Sequence, residues 1–314
     1  MQKTLIIYES KYGTTQKAAK YLSLILGPAK YCKTEEFIPA YRDFDFIVIG
    51  TPIYSGNVHP KISKFIEENQ DWLKQKKVAL FSSCLSKKDG EENLENLKKN
   101  LGTVIKMIVL GGRLKLDSLD EIDSSALKEF TEKLGFELSD MDSFNLIDLI
   151  NYGLELKQLK EDLIEKMPAE KLKKHIEDFL TTHNTCTLST AYDQRVRSTP
   201  IEYNYKDGFI YLLSEGGEKF ANLLVNSNVS MAVYEDYTTM NNLAGMQISG
   251  SASLVDLKSQ EYLDILKLKG LNPDVISKLQ INMNIIKIEI DKVEFLYSKF
   301  KDIGFEVKQI YFFK

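Results

Sequence analysis

The apolar run Leu5-Ile6-Ile7 passes through Tyr8-Glu9-Ser10-Lys11-Tyr12-Gly13-Thr14-Thr15 into Gln16-Lys17-Ala18-Ala19-Lys20-Tyr21-Leu22. The order strand, hydroxyl-rich turn, helix points to a sheet flanked by helices, with the turn at a strand's carboxyl end. Ser10, Thr14 and Thr15 supply hydroxyls and Gly13 lets the backbone come close. The unpaired N–H groups of the helix start add the positive end of its dipole, so the segment suits a phosphate. It lacks the Gly-Lys-Ser/Thr ending of a triphosphate loop and the three-glycine spacing of a dinucleotide fingerprint. A flavin mononucleotide (FMN) phosphate remains as the candidate ligand, with an ordinary N-capped turn as the alternative.

A second apolar run, Phe44-Asp45-Phe46-Ile47-Val48-Ile49-Gly50, reads as a buried parallel strand. It opens into Thr51-Pro52-Ile53-Tyr54-Ser55-Gly56-Asn57-Val58-His59, and Pro60 then starts a helix. Ligands of open parallel sheets lie beyond the strands' carboxyl ends where strand order reverses, and these two loops leave such ends. Tyr54 offers a flat face for an isoalloxazine ring or is a plain surface aromatic, while Gly56 and Asn57 leave backbone groups free. A fourth strand over 77–81 empties into Ser82-Ser83-Cys84, a third loop in which Cys84 touches the ring or fills space. A fifth strand over 104–110 ends at Gly111-Gly112. Helical spacing covers 120–134, through Ile122, Leu127, Phe130 and Leu134, and again 150–167. One helix suffices here for a plain doubly wound sheet. The extra one, with Met141 and Phe144 behind it, is a cap over the ligand or a surface insertion.

Residues 1 to about 166 resemble the flavodoxin superfamily, and within it the menaquinone-dependent protoporphyrinogen oxidase branch. The resemblance rests on Ser10-Lys11-Tyr12-Gly13-Thr14-Thr15, on Ile49-Gly50-Thr51-Pro52-Ile53-Tyr54-Ser55-Gly56 with His59 shortly after, and on Gly111-Gly112-Arg113-Leu114. It implies FMN held by Ser10 to Thr15, by Thr51, Pro52, Ile53, Tyr54, Ser55 and Gly56, and by Ser82, Ser83 and Cys84.

Met167-Pro168 marks a domain break, because a proline in the first turn starts a new helix after a long charged one. Beyond it the period changes. A helix over 168–182, with Leu172, Ile176, Phe179 and Leu180 on one side, precedes short strands at 185–191, 196–205, 209–214, 229–234, 246–255, 284–290 and 293–297. Lys206-Asp207-Gly208 supplies a hairpin turn, and the spacing predicts a small antiparallel barrel. Residues 167–314 resemble the pyridoxamine 5′-phosphate oxidase-like split-barrel family. The residues that carry this are Cys186-Thr187-Leu188-Ser189-Thr190-Ala191, Arg195-Val196-Arg197-Ser198-Thr199-Pro200-Ile201, and 211–223 with its Ser214-Glu215-Gly216-Gly217-Glu218-Lys219 core. By that resemblance Arg197, Ser214 and Lys219 fall where the family grips the flavin phosphate, a task suited to a planar guanidinium fork, a hydroxyl and an ammonium. Glu202 stands where the vitamin-making enzyme has a second phosphate-binding lysine, and its charge would repel a phosphate nearby. The sole tryptophan is Trp72 and the tail 309–314 has no arginine, so pyridoxamine phosphate oxidase activity itself is not expected. Families of this fold also bind heme, which stands as the alternative cofactor. The resemblance further implies a homodimer through the carboxyl-terminal domain, with the flavin between subunits. Apolar alternation in Met246-Gln247-Ile248-Ser249-Gly250 and Ile285-Ile286-Lys287-Ile288 is expected to feed that contact, or else to fill a lone barrel core.

With 314 residues, 43% hydrophobic and 27% charged, the chain is long enough for two full cores. A net charge of −4 without a long basic run argues against nucleic acid or an anionic membrane surface as partner. No uncharged apolar stretch approaches a membrane span, and the expected location is cytoplasmic. Cys32, Cys84 and Cys186, like His59, His175 and His183, are far apart, which argues against a disulfide framework or a metal site. No catalytic side chain is designated, because no Ser/His/Asp or paired-carboxylate device appears and the cofactor would do the chemistry. The expectation is an α/β flavodoxin-like doubly wound parallel sheet followed by an antiparallel split β-barrel. The function expected is that of an FMN-dependent oxidoreductase, exchanging electrons with a small-molecule or protein donor and acceptor and relaying them between two flavins. The alternatives are a tetrapyrrole-handling flavoprotein, with His59 or a cap-side group facing protoporphyrinogen or heme, and a non-catalytic electron-transfer flavodoxin. The mild net charge favours an enzyme over the strongly acidic shuttle.

Overall fold

The computed structural model describes residues 2–135, 137 and 139–313. Its contacts divide the chain into two units, Met1–Ile164 and Glu165–Lys314. In the first unit, β1 (Thr4–Tyr8), α1 (Thr14–Ile25), β2 (Ala29–Lys33), β3 (Phe46–Tyr54), β4 (Asn57–Val58), α2 (Pro60–Glu68) and α3 (Gln70–Leu73) come first. Then follow β5 (Lys77–Ser83), α4 (Lys87–Lys98), β6 (Thr103–Val109), β7 (Arg113–Leu114), α5 (Glu121–Leu134), β8 (Met141–Asp142) and α6 (Leu146–Asp162). The main strands lie in the order β2-β1-β3-β5-β6, all parallel, with β4 folding back on β3. This is the flavodoxin-like doubly wound sheet. Its strands read as unbroken apolar runs because both faces are covered. Leu5, Ile7, Ile47, Ile49 and Leu80 pack beneath α2 and α4, and Ile6, Tyr8, Phe46, Val48 and Phe81 beneath α1 and α6. Truncating one of these, such as Ile6→Ala, removes a side chain with no exposure, a change of about 2–5 kcal/mol.

Helix α6 begins earlier than the expected residue 150, because the side-chain oxygen Oδ1 of Asn145 accepts the N–H groups of Ile147 and Asp148 and caps a new first turn. It ends at Asp162, short of Met167, which is buried in the core of the second unit. The extra helix of the sequence pattern is α5, carried between the paired β7 and β8. The side chains of Phe130 and Leu134, named in its pattern, lie outside the described residues.

The second unit runs α7 (Ala169–Thr182), β9 (Thr185–Tyr192), β10 (Arg195–Glu202), β11 (Asn204–Lys206), β12 (Phe209–Ser214), α8 (Glu218–Leu223) and β13 (Asn228–Tyr234). It continues with β14 (Ala244–Val255), α9 (Gln260–Leu268), α10 (Pro273–Ile276), β15 (Asn284–Tyr297) and β16 (Lys308–Phe312). The antiparallel order β10-β9-β13-β14-β15-β12-β11, with β16 on β15, curls into the split barrel. The two strands expected at 284–290 and 293–297 are one. Asp291 and Lys292 break the apolar alternation, but a bulge opposite Ser249 and Gly250 absorbs the extra residue and the strand continues. Gly250 is required there, since a Cβ would lie 2.2 Å from the Glu289 carbonyl oxygen. The expected strand 196–205 is instead two, β10 and β11.

The apolar positions expected to feed a dimer contact are spent inside the unit. Met246, Ile248, Ile286 and Ile288 all belong to the barrel core, and Ile285 is covered by Tyr262, Ile265 and Leu266 of α9. This is the lone barrel core given as the alternative, with α9, unmarked in the sequence reading, covering Ile285.

Candidate functional site

Strand register brings three loops to one edge of the parallel sheet. Tyr8 lies beside Gly50, Gly50 beside Phe81, and Pro52 beside Ser83, so the chain leaves β1, β3 and β5 on the same side. In the first loop Gly13 is the N-cap of α1, left-handed at φ 88°, and no side chain caps the helix. A Cβ there would meet nothing within 4 Å, so the glycine serves conformation rather than space. Ser10 Oγ accepts the Gly13 N–H at 2.9 Å, which shapes the turn and leaves its own proton to donate. Thr15, in the first helical turn, is 1% exposed, and its buried hydroxyl has no hydrogen-bond partner. An uncapped twelve-residue helix end beside an orphaned hydroxyl fits a phosphate.

The insertion occupies part of the same loop. Lys11 Nζ lies 2.6 Å from both Asp120 and Asp123, and the Tyr12 hydroxyl donates to the Asp123 carboxylate. Those carboxylates hold the Lys11 ammonium well above its ordinary range. The side chains of Lys11 and Tyr12 are therefore committed to α5 and its N-terminal residue Asp120, whose Oδ1 accepts the Asp123 N–H. Sequence reasoning missed both aspartates, although the acidic start Asp120-Glu121-Ile122-Asp123 is an N-terminal helix signal.

Tyr54 links the first two loops. Its hydroxyl accepts the Lys11 N–H at 3.3 Å, and the Tyr12 ring meets its ring edge-on at 5.9 Å between centroids. Burial, the largest effect, raises the Tyr54 hydroxyl's pKa. Thr51, Pro52 and Ile53 belong to β3 itself rather than to the loop, and Thr51 Oγ1 is engaged with the His59 N–H and the Pro52 carbonyl. His59 Nδ1 accepts the Lys61 N–H as the cap of α2, and burial lowers its pKa. Ser55 and Gly56 form the two-residue turn into β4, both with positive φ.

Ser82 and Ser83, expected in a third loop, are the last residues of β5 and face opposite sides of the sheet. Ser82 Oγ is buried beneath α4, 3.1 Å from where a Cβ on Gly90 would lie. Ser83 continues the Phe81 face, toward α1 and α6, with a second buried hydroxyl that has no partner. Cys84 is buried, its N–H donates to the Gly111 carbonyl at 3.2 Å, and burial pushes its thiol pKa up.

The second unit gathers Ser214 and Lys219 about Gly216. Ser214 Oγ accepts the Gly216 N–H at 3.3 Å, and Lys219 Nζ donates to the Gly216 carbonyl at 2.5 Å. Lys219 is 7% exposed, and burial lowers its pKa, partly countered by Glu215 and reinforced by Arg197. Gly217, at φ 109°, passes its Cα close enough that a Cβ would lie 3.6 Å from that ammonium. Arg197 pairs with Glu218 at 2.5 Å, yet the Glu218 side chain is 79% exposed and free to swing into solvent. Thr199, on the Arg197 face of β10, has a buried hydroxyl without a partner. A buried ammonium, a guanidinium and an orphaned hydroxyl make a second set of donors suited to an anion. Glu202 does not oppose it. Five residues along β10 it is about 16 Å from Arg197 and on the other face, and it pairs with Lys269 at 3.4 Å.

Among the described residues no helix is long and apolar enough to cross a membrane. A flavodoxin-domain model matches residues 5–135, and a pyridoxamine 5′-phosphate oxidase model matches residues 172–297. No curated protein matches the chain. Among solved structures, the heme-storage protein HutZ of Vibrio cholerae is 21% identical over 38% of this chain and 90% of its own, at a TM-score of 0.34. ChuZ of Campylobacter jejuni is 19% identical over 54% of this chain and 68% of its own, at a TM-score of 0.36. A FAD-binding protein of Mesorhizobium loti is 19% identical over 42% of this chain and 95% of its own, at a TM-score of 0.30. The chain thus joins a flavodoxin domain at its amino end to a pyridoxamine 5′-phosphate oxidase-like domain at its carboxyl end.

Proposed function

We propose that this protein is an FMN-dependent oxidoreductase whose first unit holds the cofactor phosphate at the amino end of α1. The observation that carries this is the orphaned, buried Thr15 hydroxyl under an uncapped helix start. Ser10 and the N–H groups of the first turn add donors, and the turn at Ser55 and Gly56 lies on the same edge of the sheet. Bound flavin would supply electron or hydride transfer at its ring. The chain's own groups bind the phosphate, position the ring and choose the electron donor and acceptor. Arg197, Ser214 and Lys219 are proposed to grip a second flavin phosphate in the barrel. A homodimer through the second unit belongs to the same proposal. Its support is the edge strand β10, which pairs with β9 and leaves Val196 77% exposed beside Arg197.

Release and quantitation of flavin from the purified full-length chain tests the proposal. FMN is expected, with riboflavin, which lacks the phosphate, binding at least tenfold more weakly by loss of charge-assisted hydrogen bonds. A folded protein that takes up no FMN, or that binds riboflavin equally well, overturns it.

A further inference from the structure

A groove of about 280 Å³ opens between α2 and α4, beside β4. That volume is just below the range of pockets for drug-sized molecules, so its occupant would be small. The floor is apolar. Ile66 and Leu97 are buried there, and Val58 packs against the same core. Asn57, Asn93, Asn96 and Asn100 line it with carboxamides, and Glu67 is the one charged side chain among the described residues that line it. Two of these amides are oriented by the backbone. Asn57 Nδ2 donates to the Ser55 carbonyl at 2.8 Å, and Asn93 Nδ2 donates to the Gly56 carbonyl at 2.9 Å and the Asp89 carbonyl at 2.8 Å. A carbonyl only accepts, so the nitrogen of each amide is committed and its Oδ1 is left for the groove. Asn96 Oδ1 already accepts an ammonium, Lys99 Nζ at 2.8 Å.

The groove therefore presents acceptors over an apolar floor, and it presents them at two ends. Asn57 and Asn93 lie next to the β3–β4 turn, while Glu67 and Asn100 lie farther along the two helices. Seven residues separate Asn93 from Asn100, about 10 Å at the rise of a helix. Acceptors call for a donor, the carboxylate calls for a cation, and the floor suits methylene groups. We propose that this groove binds a small aliphatic polyamine, with a primary ammonium at each end and its methylene chain along Ile66 and Leu97. A lysine side chain of a partner protein carries the same ammonium only once and would leave one end of the groove empty.

Calorimetric titration of the full-length chain with spermidine at low ionic strength tests this. One spermidine per chain is expected to bind saturably, with a Kd of about 1 mM or below. Butylamine, which has a single ammonium, is expected to bind at least tenfold more weakly, as for loss of one charge-assisted contact. Glu67→Gln and Asn100→Leu are each expected to weaken spermidine about tenfold, and both positions are exposed, so the fold does not depend on them. Lys99→Ala removes the competing ammonium and frees Asn96, and is expected to tighten binding a few-fold. Glu68→Gln makes the same change in net charge one residue away, at a carboxylate paired with Lys64, and is expected to leave binding as it was. Absence of saturable spermidine binding overturns the proposal, as does butylamine binding equally well. An equal loss in Glu68→Gln and Glu67→Gln would make spermidine a loosely held counterion and overturns it too. Trilysine that binds where spermidine does not would overturn the polyamine in favour of a partner's lysine side chains.

Discussion

Replacing Thr15 with valine should make the cofactor-free protein more stable and its FMN complex weaker. The two side chains have nearly equal volume, so the difference between them is a hydroxyl against a methyl group. In the first turn of α1 that hydroxyl is buried and without a partner. A buried, unpaired hydroxyl costs about 1–3 kcal/mol relative to water, and valine removes that cost while filling the same space. The apo protein should gain about 1 kcal/mol, which is about 2–4 °C in the melting temperature of a unit this size. Toward FMN the sign reverses. One hydrogen bond to a dianionic phosphate contributes about 1.5–3 kcal/mol, so affinity should fall about 10- to 100-fold. Calorimetric melting of the apo protein and quenching of FMN fluorescence on titration read the two effects separately. Thr15→Ser, which keeps the hydroxyl, should retain most of the affinity. A Thr15→Val protein that is destabilised, or that binds FMN as the wild type does, would refute the assignment of this hydroxyl to a ligand.

Arg197→Ala with Lys219→Ala should reduce FMN bound at saturation from two per chain to one, and an unchanged stoichiometry would remove the barrel site. Light scattering should find the full chain dimeric and Val196→Glu, at the exposed edge strand, monomeric; a monomeric wild type at micromolar concentration would end the dimer proposal. Asp120→Asn with Asp123→Asn should tighten FMN binding a few-fold at low salt by releasing Lys11 and removing two nearby negative charges, and the gain should shrink at high salt. Burial alone would raise the Glu294 carboxyl's pKa, but hydrogen bonds from Lys292 and Lys308 hold it down at about 2. Since its unfolded value is about 4.3, the stability it contributes is complete above about pH 5 and is lost as pH falls through about 2. Urea unfolding at pH 6 and pH 3 should therefore differ by about 1.5 kcal/mol less in Glu294→Gln than in wild type, and an equal difference would show that the carboxylate is not paired in solution.

Much of the fold was legible because its signals are local. Strands β1, β3 and β5 are covered on both faces and so appear as unbroken apolar runs. The Gly13 turn and the hairpin at Asp207 and Gly208 announce themselves through residues that tolerate positive φ. Long-range relations were not legible. Nothing at Lys11 indicates that Asp120 and Asp123 will neutralise it, because the contact depends on how an insertion folds back. Ser82 and Ser83 look equivalent in a loop motif, yet the strand period sends one hydroxyl beneath α4 and the other to the opposite face. Glu202 matches a phosphate-binding position in a linear comparison, but five residues of extended strand carry it far from Arg197 and onto the other face. In each case the linear reading carried no information on the side chain's neighbours.

The two donor sets proposed for this chain would hold an anion by different physics. In the first unit the loop's own cation, Lys11, is already balanced by two carboxylates, so a phosphate there would rely on N–H groups, hydroxyls and the helix dipole. Such donors are neutral, short in range and fixed in direction, and they discriminate by geometry more than by charge. In the second unit the central group is a buried ammonium whose pKa burial has lowered, with a guanidinium as neighbour. Burial there costs the charged form of Lys219 hydration, which a bound anion would offset. A phosphate in the first unit would therefore depend on the path of the 10–15 loop and on whatever shifts α5. A phosphate in the second would rely on the Lys219 ammonium and on whether Glu218 yields Arg197. The two proposed sites would thus hold the same chemical group by answering to different features of the chain.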